Sequence, residues 1–269
     1  MFNKYYNSLL AVWNAEDAFT LAKTRAFEEY RPSLEQRNLY IFDEATKTAY
    51  VCFDEFEVNY DDWDNYYSNG MNEEDIPTTG DTFIFVRNCF YQALEDGAEN
   101  VILDLSTNYG GETHALCGIV GLINGSTCDF TMNDVFNDVR MTESCGVDIN
   151  LDGVWDEKDV AESAKFTFNV GVLTTVSSFS CGNLLPSMLK ELGCKIIGQR
   201  SGGGSCAISY SSTADGVPFY HSNTFCLFNS EGENIDGGVE TDFEIISENG
   251  FYDFVTIANY YASLTEVTP

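Results

Sequence analysis

The sequence predicts an α/β fold, and three observations support that prediction. Short apolar runs of strand length recur at Val101 to Leu105, Asn169 to Thr175 and Lys195 to Gly198, separated by stretches of helical periodicity. The first two runs end in small polar residues and glycine, the composition that turns a buried strand into a helix. With 269 residues, 44% hydrophobic and 14% aromatic, the chain is long and apolar enough to build a core around such units.

Residues 1 to about 35 carry apolar positions such as Leu9, Leu10, Val12 and Trp13 and read as helical, ending near Arg31 and Pro32. Asn38 to Asp43 and Thr48 to Phe53 are β-rich runs around a short polar turn, which predicts a hairpin. Residues 57–80 are acidic, aromatic and rich in Asn and Gly, the make-up of an exposed loop. From Asp81, a natural N-cap, the chain reads helical to Glu95. The strand from Val101 leads through Asn108 to Gly111 into a helix ending near Ile123, and the strand from Asn169 leads into a helix from Ser180 or Cys181 to Leu192. Short β runs fill 205–246, and Phe251 to Ala262 forms a closing amphipathic helix. The change of pattern divides the chain into an accessory segment, 1–80, and a strand-helix domain, 81–269.

Charge narrows the function classes. The 13 basic and 43 acidic residues give a formal net charge of −30, and phosphate backbones need concentrated Lys and Arg, which argues against a nucleic-acid partner. No apolar run reaches the ~18 residues of a membrane span. Met1 to Tyr6 lacks the basic stretch and apolar run of a secretory leader, which fits either a cytosolic protein or a trimmed N-terminus. The nine cysteines form no C-x-x-C pair, so zinc-ribbon and thioredoxin readings fail, and their odd number leaves at least one thiol free. Several lie in apolar runs, as Cys52, Cys117 and Cys226 do, where they serve as small core residues.

Residues 148–159 carry a calcium-loop pattern inside an insertion at 145–165. Oxygen side chains stand at loop positions one, three, five, nine and twelve (Asp148, Asn150, Asp152, Asp156 and Asp159), and Gly153 allows the sharp turn at position six. The carbonyl of Val154 supplies position seven. A hard cation that takes six to eight oxygens suits this donor set. A structural calcium ion is expected, since four unscreened carboxylates in so short a loop repel one another.

Two further segments carry chemistry. Ser177-Ser178-Phe179-Ser180-Cys181-Gly182-Asn183 places serines where a strand becomes a helix, beside the positive end of the helix dipole. Ser178 or Ser180 fits a helix cap equally well, and Cys181 is a rival nucleophile. The second segment, Asp104 to Gly111, ends in a glycine pair whose backbone N–H groups suit an oxyanion, from Gly110 or Gly111 together with Cys181.

The segments Val101 to Gly111 and Val172 to Gly204 resemble the carboxyl-terminal (tail-specific) processing proteases, a serine peptidase family related to the tricorn core protease. The likeness covers roughly residues 81–246. It implies a ClpP/crotonase-like ββα core, a nucleophile at Ser180, peptide or protein substrates, and an extracellular or cell-envelope setting. It also exposes a departure. Members of the Ser-Lys type carry lysine in the glycine-rich turn where this chain has Gly204, and Arg200 stays protonated and cannot serve as base. Tricorn-like members use histidine with a late acidic residue. The candidates here are His114 or His221, neither of them N-terminal, or a base from sequence preceding Met1, with Asp236 or Glu233 as orienting carboxylate, while Asp242 supports the fold. Without a base, the chain would be a catalytically silent peptide-binding pseudoprotease or a calcium-dependent interaction module.

Overall fold

The computed structural model describes residues 39–204, 206–245 and 254–265, so the helix expected at residues 1 to about 35 lies outside them. The first elements are β1 (Leu39–Asp43), β2 (Thr48–Cys52), α1 (Tyr60–Ser68), α2 (Thr82–Asp96), β3 (Asn100–Asp104) and α3 (Thr113–Ile123). A hairpin of β4 (Thr127–Asp134) and β5 (Val139–Gly146) follows, then α4 (Glu157–Ser163), β6 (Asn169–Thr174), α5 (Cys181–Glu191) and β7 (Lys195–Gly198). Last come β8 (Cys206–Ser212), β9 (Pro218–Phe228), β10 (Phe243–Glu244) and α6 (Phe254–Thr265).

A six-stranded sheet in the order β1-β2-β3-β6-β7-β10 organises the chain. Only β1 runs antiparallel to its neighbour; β2, β3, β6, β7 and β10 are parallel. Strands β2 and β3 are buried along their whole length, as expected for parallel strands covered on both faces. Alternation then sends Val101 and Leu103 into the core shared with α2, α3 and α5, and Ile102 into a smaller core beneath α6. In that second core Gly171 makes room for Tyr261, because a Cβ there would stand 2.4 Å from its ring.

Helix α2 begins where the sequence puts it. The Asp81 carboxylate accepts the Ile84 N–H at 3.0 Å, and Gly97 ends the helix at φ +73°. Two segments differ from expectation. Residues 60–68 form α1 rather than loop: Asn59 caps the helix by accepting the Asp62 N–H, and Trp63 donates its indole N–H to Asp81 at 2.6 Å. Residues 124–144, unassigned from sequence, supply nearly all of the β4–β5 hairpin, which joins β8 and β9 in a four-stranded antiparallel sheet, β5-β4-β9-β8. The expected division near residue 80 also needs revising for the part described. β2 pairs with β3 from Thr48 to Cys52, so the hairpin at 39–52 belongs to the central sheet. Among the described residues no helix is long and apolar enough to cross a membrane.

Candidate active site

The turn after β6 is built from buried hydroxyls. Ser178 accepts the Thr175 N–H at 2.9 Å and donates its own proton to the Leu105 carbonyl at 2.7 Å. The Thr175 hydroxyl donates to the Ser106 carbonyl and accepts the Ser177 N–H at 3.0 Å. These bonds fasten the end of β6 to the end of β3, and they answer the capping question for Ser178. Ser180 stands at the N-cap of α5 but makes no side-chain cap bond. Its backbone sits at φ +56°, ψ −119°, a conformation that a residue with a Cβ adopts only under constraint. The constraint is visible: the Ser180 N–H donates to the Gly203 carbonyl at 3.0 Å, and Phe179 pairs with Gly203 as an isolated bridge. The result is a half-buried hydroxyl at a helix N-terminus, with no hydrogen-bond partner among the described residues.

The glycine pair lies directly against it. A Cβ on Gly110 (φ +102°) would stand 2.5 Å from the Ser180 Cβ and 3.0 Å from its Oγ, so glycine is required for the approach. A Cβ on Gly111 (φ +134°) would stand 2.2 Å from the Phe56 carbonyl oxygen. Asn108, fully buried, ties these pieces together. Its side-chain N–H donates to the Phe53 carbonyl at 3.0 Å, its Oδ1 accepts the Gly110 N–H at 2.9 Å, and its carbonyl accepts the Phe179 N–H at 3.0 Å. Gly110 has therefore already committed its N–H. Among the described residues, the N–H groups of Gly111 and Cys181 meet no protein acceptor. The Cys181 thiol donates to the Gly111 carbonyl at 3.1 Å, and burial pushes its pKa up to about 12, which keeps it protonated near neutrality.

The remaining candidates are placed less favourably for proton transfer. At Gly204 (φ +80°) a Cβ would stand 2.3 Å from the Phe179 ring, so an aromatic side chain fills the space where a lysine would begin. His114 is exposed on the first turn of α3, its Nδ1 3.1 Å from the Tyr60 hydroxyl, which also donates to Glu112. His221 lies on β9, with Nε2 3.1 Å from Ser211 Oγ and Nδ1 2.8 Å from the Ser222 carbonyl. Neither imidazole hydrogen-bonds Ser180. Asp236 comes close through its backbone, since a Cβ on Gly203 would stand 1.9 Å from its carbonyl oxygen. Glu233 is exposed, and its carboxylate accepts from the Asn229 amide at 3.1 Å. Asp242 accepts the Ile196 N–H at 2.8 Å and meets Lys190 at 3.3 Å, fastening the end of β7. Sequence reading missed the part played by Asn108. The available signal was an Asx side chain two residues before a glycine, the spacing of the turn it makes with the Gly110 N–H.

The acidic loop between β5 and α4 folds on itself. Asp148 accepts the N–H groups of Asp152 and Gly153, at 3.1 and 2.7 Å, and Asn150 accepts that of Asp152 at 2.8 Å. Asp156 and Asp159 form a capping box at the start of α4, with Asp159 fully buried and also accepting the Ile149 and Asn150 N–H groups. Asp152 accepts the Val154 N–H and meets the Lys158 ammonium at 2.6 Å. Among the described residues no group of three or more His, Cys, Asp or Glu side chains is arranged to hold a metal ion.

Comparison with known proteins gives this geometry a context. The family model for peptidase family S41 matches residues 47–245. A putative S41 protease from Bacteroides fragilis shares 16% identity at a TM-score of 0.56, over 87% of this chain and 58% of that one. The photosystem II D1 C-terminal processing protease shares 18% identity at a TM-score of 0.50, over 75% and 43%. A lipoprotein from Streptococcus agalactiae shares 13% identity at a TM-score of 0.56, over 87% and 71%. The chain thus spans about half the length of the first two solved structures. The search of curated protein sequences returned no match. With the family model covering five of the six sheet strands, β2 to β10, together with the glycine loop and the Ser180 turn, the chain belongs to peptidase family S41, a family of serine-type peptidases.

Proposed function

We propose that the chain is a serine endopeptidase of the tail-specific processing type, built on a ClpP/crotonase-like ββα core and acting through an acyl-enzyme on Ser180. The observation that carries this reading is the unbonded Ser180 hydroxyl, lodged against Gly110 and beside the uncommitted N–H groups of Gly111 and Cys181. The Ser180 oxygen adds to a peptide carbonyl, and the two N–H groups and the α5 N-terminus hold the charge that develops on the carbonyl oxygen. The leaving amine departs, and water hydrolyses the ester. His114 or His221, with Asp236 as orienting carboxylate, is the proposed proton carrier, and either imidazole must release its present hydroxyl partner to reach Ser180. Ser180→Ala is expected to abolish peptide hydrolysis and fluorophosphonate labelling with little change in melting temperature. Hydrolysis that survives the substitution would assign the chemistry to another nucleophile.

A second reading has its own support. The Phe179 ring at Gly204 and the histidines, each hydrogen-bonded to another hydroxyl, favour a silent peptide-binding pseudoprotease. Fluorophosphonate discriminates, because an unactivated serine stays unlabelled while a fluorescent peptide still binds.

The loop at 148–159 is proposed to take a structural calcium ion through Asp148, Asn150, Asp152, the Val154 carbonyl, Asp156 and Asp159. Its donors are hard oxygens, and Lys158 already supplies a positive charge at Asp152 that an ion would replace. Millimolar calcium is expected to raise the melting temperature, and Asp152→Ala to remove that rise. A thermal scan unmoved by calcium would reject the ion. Such an affinity suits an extracellular or cell-envelope setting, which is the localisation proposed.

A further inference from the structure

Three thiols from three elements lie where α3 packs on the β4–β5 hairpin. Cys128 on β4 and Cys145 on β5 are direct cross-strand partners, a register that holds Cα atoms about 4.5–5.5 Å apart. Cys117, on α3, lines the same open cavity as Cys145. All three are free thiols. Their exposure differs in an ordered way. Cys128 is fully buried, Cys117 is 4% exposed, and Cys145 is half-buried at the wall of an open cavity of about 340 Å³. Tyr60, Trp63, Tyr67 and His114 also line that cavity. Cys145 is therefore the thiol of this wall more readily reached from solvent, and Cys117 on the same wall is almost covered.

We propose that Cys117 and Cys145 form a thiol–disulfide exchange site, in which Cys145 receives a small-molecule disulfide from the cavity and Cys117 resolves it. In the first step Cys145 attacks the disulfide RSSR, giving Cys145–S–S–R and one RSH that carries away the displaced sulfur and a proton. In the second, Cys117 attacks the Cys145 sulfur and releases a second RSH. Two protein thiols are oxidised to one disulfide, and one RSSR is reduced to two RSH, so atoms and electrons balance. The product bond ties α3 to the β4–β5 hairpin. It does so on the helix that begins two residues after Gly111, which links this site physically to the Ser180 region. Burial, and next the neighbouring Cys117 thiol, push the pKa of Cys145 up to about 11, so the exchange runs slowly and is read over hours. Cys128 stays reduced, because it is fully buried and is not among the residues that line this cavity.

The test uses the intact, fully reduced chain. It is incubated with excess oxidised glutathione, unfolded in an alkylating reagent, and analysed by intact mass and fragment mapping. Two of the nine thiols should escape alkylation, with a fragment linking Cys117 to Cys145. Cys145→Ser should abolish the link, and Cys128→Ser should leave it in place. The proposal is overturned if all nine thiols remain alkylatable, if the link joins another pair, or if Cys145→Ser oxidises at the wild-type rate. Because the wild-type mapping alone identifies the linked pair, the result stands even where a serine variant folds poorly.

Discussion

Asn108 concentrates more of the site's geometry in one side chain than Ser180 does. It contributes no chemistry, yet it fixes Gly110 through Oδ1 and Phe53 through its amide, and its carbonyl holds Phe179 next to the nucleophile. Asn108→Ala leaves a buried N–H and a buried carbonyl without partners. The expected loss is about 2–4 kcal/mol of stability, read by denaturant unfolding. Fluorophosphonate labelling of the folded fraction should fall with it, and labelling at the wild-type rate would show that the glycine loop holds its shape unaided. Gly204 is the second decisive position. Gly204→Lys introduces a side chain into the Phe179 ring at φ +80°, so it is expected to lower the melting temperature rather than supply a base. At this scale the sequence made Gly110 and Gly111 legible, because glycine marks places where the backbone needs room, while Ser180 and Gly204 stood out through the family resemblance. It left the base open, because reach between distant residues is no property of a local pattern.

At the scale of elements, the strand-helix units followed from local pattern and two others did not. Helix α1 escaped detection because Asp61, Asp62 and Asp64 alternate with aromatics in a composition that reads as loop, and it is held by tertiary bonds such as Trp63 to Asp81. The β4–β5 hairpin escaped because its buried positions are few and β5 is exposed along most of its length. Asp81 links α1 and α2, and it carries a consequence for pH. Burial raises its pKa from the ordinary aspartate value, against the lowering effect of its hydrogen bonds from Ile84, Trp63 and Asn59. Below that value Asp81 is protonated in both folded and unfolded chains and makes no difference. As pH rises through the elevated native value, the unfolded chain has already lost this proton and the folded chain must ionise a buried group. Stability therefore falls across this window and stays lower above it. Asp81→Asn keeps a cap acceptor and removes the titration, so the gap between mutant and wild-type melting temperatures should widen in the mutant's favour with rising pH. Parallel curves would exclude Asp81 as the source.

For the whole molecule the governing quantity is the net charge of −30, carried on a chain with only 13 basic residues. Self-repulsion of that size opposes compaction, and salt relieves it. Raising ionic strength from ~0.01 M to ~1 M shortens the screening length from roughly 30 Å to 3 Å. The melting temperature should rise over that range in a salt of weak specific effects, with most of the gain early. A flat response would mean that local pairs such as Lys158 with Asp152, rather than the collective field, dominate the electrostatics.

What the sequence determined by itself was the alternation of buried strands with helices, the glycine pair, the serine turn, the cap at Asp81 and the acidic loop pattern. All of these are set by side-chain volume, backbone freedom and periodicity within a dozen or so neighbouring residues. Only the tertiary structure decided that Gly110 abuts Ser180, that Asn108 claims the Gly110 N–H, that Phe179 fills the space beside Gly204, that Cys128 pairs across strands with Cys145, and that Cys117 and Cys145 line one cavity. Those contacts join residues far apart in the chain. They follow from the parallel stacking of β3 against β6 and from the packing of α3 on the second sheet, and no local pattern encodes that packing.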